Sequence, residues 1–333
     1  MKAFVIILLA ILCCSSCEKI LFEQDFANQH PMHNFEYLWQ ECHEKYAYFE
    51  LKNVDWEQVK IDYAQQVYAG MSEDSLFDVL GAMLNTLQDD HCNLFSDFKT
   101  SFYGVDYLSQ KNFDWRTIVD YYITPNHYLT GPFSHNFIHN NELGYLRLSS
   151  FSGAINDEHL DFVLQRYQDT RGLILDLREN GGGAIPNVFA LLRRLIDNKT
   201  LVYYSRIKKG IEHNDFTSAT PVFVQPFDGI RYDKPVAILT DRGTYSSGSL
   251  LCLAAKALPH LFLVGDTTGG GLGMPNGGQL PNGWTYRFSV TQSLTLDKKP
   301  DFEQGVPPDV PVLLDWNNLT RDEILDRAIL ELL

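Results

Sequence analysis

The chain has 333 residues, of which 45% are hydrophobic, and a formal net charge of -15 at pH 7. This much apolar sequence with interspersed charge predicts a globular protein of one large or two modest domains. No basic stripe is present that could displace counterions from phosphates, so the composition argues against a nucleic-acid partner.

Residues 1–16 have the layout of a bacterial export signal. One basic residue precedes an apolar run that is too short to cross a bilayer as a mature helix. Small residues and Cys17 follow, which resembles the lipobox of bacterial lipoproteins, where the cysteine is lipidated and becomes the new N-terminus. Cys13, Cys14 and an ordinary cleaved signal are the alternatives. We expect a tether over 17–33 and a lipid anchor in the bacterial cell envelope as the chain's only membrane attachment.

The cysteines beyond the leader indicate neither a disulfide framework nor a metal site. Cys42, Cys92 and Cys252 are odd in number, and their spacings match no zinc motif. We therefore expect no metal and no cofactor.

The first part of the body, 34–95, has the apolar spacing of a small helical bundle. It predicts helices over 34–50, 55–68 and 72–87, each opening with Asn, Asp or Ser as a candidate N-cap. The third helix ends before Gln-Asp-Asp-His, which contains His91. A histidine just beyond a helix end is more often a structural residue than a catalytic one.

Residues 96–333 are predicted to form one α/β body. Its first stretch has strand candidates at 103–108 and 118–123. A PDZ-type module would need roughly 90 residues, and this stretch has about half that length, so no PDZ module is predicted. Strands then alternate with helices, which indicates a largely parallel sheet. The later predicted strands are 144–148, 172–177, 201–206, 236–239 and 261–264, with a strand pair over 284–295. The predicted helices are 157–168, 185–195, one after the hydroxyl-rich turn near 246, and 321–332.

The stretch 236–256, which could carry catalytic chemistry, has the pattern of a buried strand, a tight turn and a helix. The turn contains Thr244, Ser246, Ser247 and Ser249. A serine at the start of a helix can attack a carbonyl while adjacent amides and the helix dipole hold the developing oxyanion. For an isolated run of hydroxyls, capping the helix is the more frequent role.

A second such stretch is Gly-Leu-Ile-Leu-Asp-Leu-Arg-Glu-Asn-Gly-Gly-Gly, which ends at Gly183. Glycine lets the backbone approach another group closely, as an amide donor aimed at a substrate oxygen requires. A phosphate cradle is the competing use of such glycines. Neither the P-loop pattern nor the dinucleotide-binding glycine pattern is present, so this use is disfavoured.

Four segments, in this order, resemble the core of the C-terminal processing (tail-specific) serine peptidases and the related tricorn core domain. They are Leu-Asp-Leu-Arg-Glu-Asn-Gly-Gly-Gly, Gly-Thr-Tyr-Ser-Ser-Gly-Ser, Gly-Asp-Thr-Thr-Gly-Gly-Gly and Phe-Glu-Gln-Gly-Val-Pro-Pro-Asp. The resemblance spans about 144–312 and implies an α/β fold, with a crotonase/ClpP-like ββα core and an N-terminal helical bundle. It places the nucleophile at Ser246, with Ser247 as the alternative if the register is shifted by one.

The resemblance also implies the groups around the nucleophile. The oxyanion hole would use the amide of Ser247 and an amide of the glycine loop, for which Gly182 is the choice and Gly181 the alternative. The expected substrate contacts are Gly181, Gly183, Tyr245 and Gly270.

The family divides on the general base. Processing peptidases carry a lysine where this chain has Gly271, and Lys256 is displaced by about 280° around the helix from the nucleophile, out of easy reach. Tricorn-like members use a histidine and a glutamate at the positions of His91 and Glu303. An imidazole that accepts a serine proton needs a third group to orient it, and Asp90 and Glu303 both stay open for this role.

The expected function is that of an exported serine endopeptidase that forms an acyl-enzyme on Ser246 with His91 as general base. Its partner would be a peptide or protein substrate, processed or degraded from the C-terminal side. The alternatives are a catalytically silent ligand- or peptide-binding protein on the same scaffold and a structural component of an outer-membrane assembly.

Overall fold

The computed structural model describes residues 30–106 and 108–333. The predicted signal peptide, Cys17 and most of the tether lie outside the described residues. The helices are α1 (Pro31–Lys45), α2 (Phe49–Lys52), α3 (Trp56–Ala64), α4 (Glu73–Asn85), α5 (Trp115–Ile118), α6 (Asp157–Arg166), α7 (Ile185–Leu192), α8 (Ser247–Ala255) and α9 (Glu323–Leu332). Within the described ranges, none of the helices combines the length and hydropathy needed to span a membrane.

The strands, numbered in chain order, belong to three sheets. They are β1 (Asn93–Phe95), β2 (Thr100–Ser101), β3 (Tyr128–Thr130), β4 (Phe133–Ile138), β5 (Leu143–Leu148), β6 (Gly172–Asp176), β7 (Thr200–Ile207), β8 (Thr220–Val224), β9 (Val236–Thr240), β10 (Leu261–Gly265), β11 (Pro275–Gln279), β12 (Thr285–Ser289), β13 (Thr291–Leu294) and β14 (Val310–Pro311). The sheet orders are β14-β10-β9-β6-β5-β4-β3, β11-β12-β1-β2 and β13-β7-β8.

The seven-stranded sheet is the centre of the body. Its β5, β6, β9, β10 and β14 pair in parallel, and the β3–β4 hairpin completes one edge. Neighbouring residues of β6 point to opposite faces, so Leu175 packs with α6, α7 and α8 while Ile174 packs with α9. Burial on both faces explains why these strands are uninterrupted apolar runs. The predicted α/β class with a largely parallel sheet is confirmed.

Two of the N-terminal helices begin at polar N-cap residues. The side chain of Asp55 accepts a hydrogen bond from the Gln58 amide, and that of Ser72 accepts one from the Ser75 amide, as N-caps do. The predicted cap at Asn34 is wrong. Helix α1 already begins at Pro31, whose fixed φ suits the first helical turn, and the buried Asn34 lies inside the helix.

Two strand predictions are wrong. Residues 118–123 are the end of α5 and a π-helical turn, because Asp114 caps a helix there and the β-branched residues pack beneath the main sheet. The described part of 103–108 is a loop with a turn. Both strands predicted over 284–295 form, but they do not pair with each other, because β12 and β13 belong to different small sheets.

The N-terminal helices share a core with the sheet that contains β12. Trp284, Tyr286 and Phe288 pack in one cluster with α1 and α4. In the same sheet β1, which begins two residues after His91, pairs with β12 through Asn93 opposite Arg287. The helical front and the histidine turn are therefore held to the body by strand pairing as well as by apolar packing.

A buried ionic cluster joins the main sheet to the C-terminal helix. Arg178, fully buried, contacts the Asp176 carboxylate at 2.6 Å and the Asp322 carboxylate at 2.7 Å. Asp322 also caps α9 by accepting a hydrogen bond from the Leu325 amide. Because Arg178 stands three residues before the glycine loop, the cluster fixes where that loop begins.

Replacing Arg178 with Met is expected to lower the free energy of unfolding by about 3–5 kcal/mol, because two buried carboxylates lose their cation. The matched control is Arg321→Met. Arg321 pairs with Glu323 and Asp326 but is half exposed, so its loss should cost no more than about 1 kcal/mol. Urea unfolding of both variants measures the difference, and equal losses would contradict the proposed importance of the cluster.

Candidate active site

The turn between β9 and α8 presents the side chain of Ser246. Ser246 caps α8 with φ 53° and ψ -118°, a conformation that costs a non-glycine residue about 1–3 kcal/mol and is typical of functional sites. Its amide donates to the Gly270 carbonyl at 2.9 Å. On the other side of the turn, the Asp241 carboxylate accepts a hydrogen bond from the Thr244 amide at 3.0 Å. These bonds hold the strained turn in place.

His91 reaches this turn from the opposite side. It lies between α4 and β1, and its Nε2 is 3.1 Å from the Ser246 Oγ, although the two residues are 155 positions apart in the chain. Its ring packs edge-on against the Tyr245 ring, with 5.1 Å between centroids. The distance between His91 and Ser246 is within hydrogen-bond reach for proton transfer.

The pKa of His91 is lowered, so the ring is neutral at neutral pH and able to accept a proton. Burial is the largest cause, and the nearby positive charge of Arg287 acts in the same direction. Asp89, the Gly273 carbonyl and Asp90 oppose the shift. Among the described residues, no group is in good hydrogen-bond geometry with the buried His91 Nδ1.

Neither carboxylate that the sequence analysis considered as an orienting group hydrogen-bonds to the imidazole. The Asp90 carboxylate accepts hydrogen bonds from the amides of Gly104 and Val105. The buried Glu303 accepts from the amides of Leu272 at 2.7 Å and Gly273 at 3.0 Å. Glu303 therefore holds the backbone at Gly273, the residue whose carbonyl acts on His91.

Asp89 is the carboxylate that the sequence analysis missed. It is buried and accepts hydrogen bonds from the amide of His91 and from the hydroxyls of Tyr46, Tyr245 and Ser289. Asp89 and Asp90 are neighbours of the same type, so only the turn's conformation decides which one points inward. The sequence signal that could have found it is the unbroken Asp-Asp-His run.

The Gly182 amide, the predicted oxyanion donor, already has a partner in the glycine loop. It donates to the Asn180 side chain at 2.9 Å, which favours Gly181, the alternative, as the donor to a substrate. Gly182 is needed for space: at φ 99°, a Cβ there would lie 2.8 Å from the Ser246 Cβ and 3.0 Å from the Ser247 amide nitrogen. Gly181 and Gly183 line the cavity in front of the nucleophile turn.

Ser247 begins α8, where a backbone amide has no partner within the helix. It lines the same cavity, and its hydroxyl donates to the Gly183 carbonyl at 2.6 Å. Ser247 and Gly181 both line the cavity that Ser246 also lines, so their amides are the candidate donors for an oxyanion hole.

The loop after β10 explains why lysine is absent. A Cβ at Gly271 would lie 2.2 Å from the Tyr245 ring, so this ring fills the space in which a lysine side chain would begin. Lys256 pairs with Asp309 at 2.6 Å. Gly270, a predicted substrate contact, is not among the residues that line the cavity, and its carbonyl accepts a hydrogen bond from the Ser246 amide.

A cavity of about 800 Å³ opens in front of Ser246 and His91. Alternate residues of β7, Tyr203, Ser205 and Ile207, face it, as the period of a strand dictates. The other lining side chains include the apolar Phe95, Ile185, Leu250 and Met274 and the polar Asn93, Thr291, Ser293 and Arg287. The walls are therefore mostly apolar, with one cation near the imidazole.

No group of three or more potential metal ligands occurs in 30–106 and 108–333. The three cysteines in these ranges, Cys42, Cys92 and Cys252, are buried thiols.

Comparison with known proteins gives one consistent family. Residues 142–312 match the model of peptidase family S41, and residues 27–85 match that of the tricorn protease C1 domain. The chain is 24% identical over 172 residues to the carboxy-terminal processing protease CtpA of Bacillus subtilis, covering 51% of this chain and 35% of that protein. It is 33% identical over 132 residues to the chloroplastic C-terminal processing peptidase of Tetradesmus obliquus, covering 39% and 26%. The chain thus spans about a third of the length of the curated relatives it matches.

Solved structures give a wider match. A candidate peptidase from Parabacteroides merdae has 36% identity and a TM-score of 0.87, covering 92% of this chain and 98% of its own. Mature CPAF, at 12% identity, has a TM-score of 0.66 over 90% of this chain and 96% of its own. Tricorn protease, at 15% identity, has a TM-score of 0.55 over 91% and 36%. The last two similarities concern the fold alone.

Replacing Arg287 with Gln is expected to raise the pKa of His91, because the positive charge that disfavours the imidazolium is removed. The amide of Gln can still donate to the Asn93 side chain, as the Arg287 Nε does at 2.5 Å. An NMR titration of the His91 ring measures the change, with Arg321→Gln as a control whose charge is not among those acting on His91. An unchanged or lower pKa in the Arg287 variant would show that this charge does not reach the ring.

Proposed function

We propose that this chain, which belongs to peptidase family S41, is a serine endopeptidase that cleaves peptide bonds through an acyl-enzyme on Ser246. The family is that of the C-terminal processing serine proteases. The observation that carries the proposal is the 3.1 Å contact between the His91 Nε2 and the Ser246 Oγ, at the wall of a cavity large enough for a peptide.

In the proposed reaction, the Ser246 Oγ attacks the carbonyl carbon of the scissile bond and its proton passes to the His91 Nε2. The carbonyl oxygen becomes an oxyanion, which accepts hydrogen bonds from the amides of Ser247 and Gly181. As the tetrahedral intermediate collapses, the carbon–nitrogen bond breaks and His91 gives its proton to the leaving amine. Water, deprotonated by His91, then attacks the ester and releases the second product.

The environment of His91 suits this role. A buried ring with a lowered pKa is neutral and can take the serine proton at neutral pH. The imidazolium that forms is stabilised by the Asp89 charge and by the Gly273 carbonyl. Glu303 holds the backbone there by accepting a hydrogen bond from the Gly273 amide. Burial and the Asp89 charge raise the pKa of Glu303 to about 8, so at neutral pH this side chain is mostly protonated and acts as a structural group.

The cavity supports a preference for apolar side chains near the scissile bond, because Tyr203, Ile207 and Leu250 line it beside the nucleophile turn. Processing from the C-terminal end of a substrate is part of the proposal. It is supported by the names of the matched relatives, of which this chain spans about a third. The alternative is a ligand carrier on the same scaffold. In such a carrier, the contact between His91 and Ser246 would have no function.

The proposed peptidase should react with a fluorophosphonate probe at Ser246, whereas Ser246→Ala should not react. In His91→Gln, the rate should fall by about 10²–10⁴, the range that a general base contributes. Ser247→Ala is the matched control: its amide remains, and its hydroxyl donates only to the Gly183 carbonyl, so labelling should persist. Mass spectrometry locates the modified serine.

Two outcomes would count against the peptidase. One is a folded wild type that stays unlabelled under conditions in which another serine peptidase reacts. The other is labelling of a serine other than Ser246. Ligand binding that is unchanged in Ser246→Ala, together with no cleavage of any peptide by the wild type, would favour the carrier.

We further propose that the chain is exported and attached to the cell envelope through a lipid on Cys17, which its N-terminal sequence alone supports. Expressed with its leader in a bacterium, the wild type should fractionate with membranes, and Cys17→Ala should appear in the soluble fraction. Cys13→Ala and Cys14→Ala are the controls and should remain with the membrane. A wild type found only in the soluble fraction would rule out the anchor.

A further inference from the structure

We propose that Asp89 is the positioning residue of the site: its buried carboxylate joins the histidine turn to the nucleophile turn and stabilises the imidazolium formed during proton transfer. This inference rests on the proposed function of Ser246 and His91. The role of the third group, which orients the imidazole, is therefore assigned to neither Asp90 nor Glu303, the two carboxylates expected from the sequence.

The carboxylate of Asp89 receives four hydrogen bonds from four parts of the chain. Oδ1 accepts from the His91 amide at 2.8 Å and from the Tyr245 hydroxyl at 3.2 Å. Oδ2 accepts from the Ser289 hydroxyl at 3.0 Å and from the Tyr46 hydroxyl at 3.2 Å. The donors come from the end of α1, the histidine turn, the nucleophile turn and the end of β12.

The bonds at Oδ1 control the geometry of the reacting pair. One donor is the backbone of His91 itself, and the other is the side chain of Tyr245, which directly precedes Ser246. A single carboxylate oxygen therefore links both halves of a pair that is far apart in sequence. A misplacement of about 1 Å between such groups can lower a rate by about 10², so loss of this link is expected to slow the reaction.

Asp89 is, within this site, a buried carboxylate whose surroundings favour the ionised form. Burial is the largest influence on its pKa and raises it, but the protonated form of His91, the charge of Lys52 and the donated hydrogen bonds together outweigh burial, so the pKa is lowered. Asp89 in turn is the largest influence that raises the pKa of His91. An anion held close to the ring in a low-dielectric site stabilises the imidazolium more than it would in water.

The other titratable groups around the pair do not take this role. Glu303 is mostly neutral at neutral pH and is bound to two backbone amides. The pKa of Tyr46 and that of Tyr245 are raised by burial, so both act as hydrogen-bond donors. Lys52 supports the Asp89 charge, and Arg287 opposes the imidazolium.

Fluorophosphonate labelling tests the proposal because it needs no known peptide substrate. The Ser246 Oγ forms a bond to phosphorus, the phosphorus–fluorine bond breaks, fluoride leaves, and the serine proton passes to His91. The maximal labelling rate reports on the reacting groups, and the concentration for half-maximal rate reports on probe binding. Both are measured against pH for the whole chain and its variants.

In Asp89→Asn the maximal rate should fall by about 10² or more, while the half-saturating concentration changes by less than about threefold. The acid limb of the pH profile should move to lower pH, because the group that raises the pKa of His91 has lost its charge. The matched control is Asp78→Asn on α4, an exposed residue paired with Lys99, which should behave as the wild type.

Tyr245→Phe separates positioning from charge and keeps the proposal testable if Asp89→Asn does not fold. It removes only the hydroxyl that bonds to Asp89, so the maximal rate should fall by about tenfold with the acid limb unmoved. In the double variant the two losses should not multiply, because they break one shared interaction.

A folded Asp89→Asn with the rate and pH profile of the wild type would overturn the proposal. So would Tyr245→Phe at the rate of the wild type when Asp89→Asn is unfolded. A wild type that is not labelled at all would instead refute the proposed peptidase function on which the inference rests.

Discussion

The hydrogen bond between His91 and Ser246 is the interaction on which the account of this protein depends. It joins a turn behind the N-terminal helices to a turn that opens α8, 155 residues further along the chain. The rest of the fold brings these two turns together. Strand β1 pairs with β12 to hold the histidine turn, and the Gly270 carbonyl holds the nucleophile turn from behind. The N-terminal helices pack on the same small sheet.

The polar groups of the site are buried from water. His91, Asp89 and Glu303 are each less than a tenth exposed, and an isolated charge at such depth would cost several kcal/mol. For the ionised Asp89 this cost is offset by four donated hydrogen bonds. Glu303, mostly neutral at neutral pH, accepts hydrogen bonds from two backbone amides. The strained backbone of Ser246 adds to this cost. Buried polar groups and backbone strain are concentrated in this way at functional sites, where the residues present favour reactivity over stability.

Local sequence was enough to predict the elements that carry the chemistry. The β9-turn-α8 unit, the caps at Asp55 and Ser72, the parallel sheet and membership of the family are confirmed, because each depends on neighbouring residues or on motifs in order. Choices between adjacent residues could not be made in this way. Whether Asp89 or Asp90 points inward depends on a turn in which Gln88 has φ 50°. That the Gly182 amide has a partner within the glycine loop depends on a hydrogen bond to the Asn180 side chain, which only the folded loop defines. The 118–123 segment has strand composition, but its helical form is set by packing under the sheet and by the cap at Asp114.

The most direct test of the central claim is a crystal structure of the full chain after reaction with a fluorophosphonate. We expect a phosphonate covalently attached to the Ser246 Oγ, with its oxygen held by the amides of Ser247 and Gly181. We also expect the His91 Nε2 within about 2.6–3.2 Å of an oxygen of the adduct. An adduct on another serine, or an imidazole turned away with no path back to Ser246, would contradict the claim.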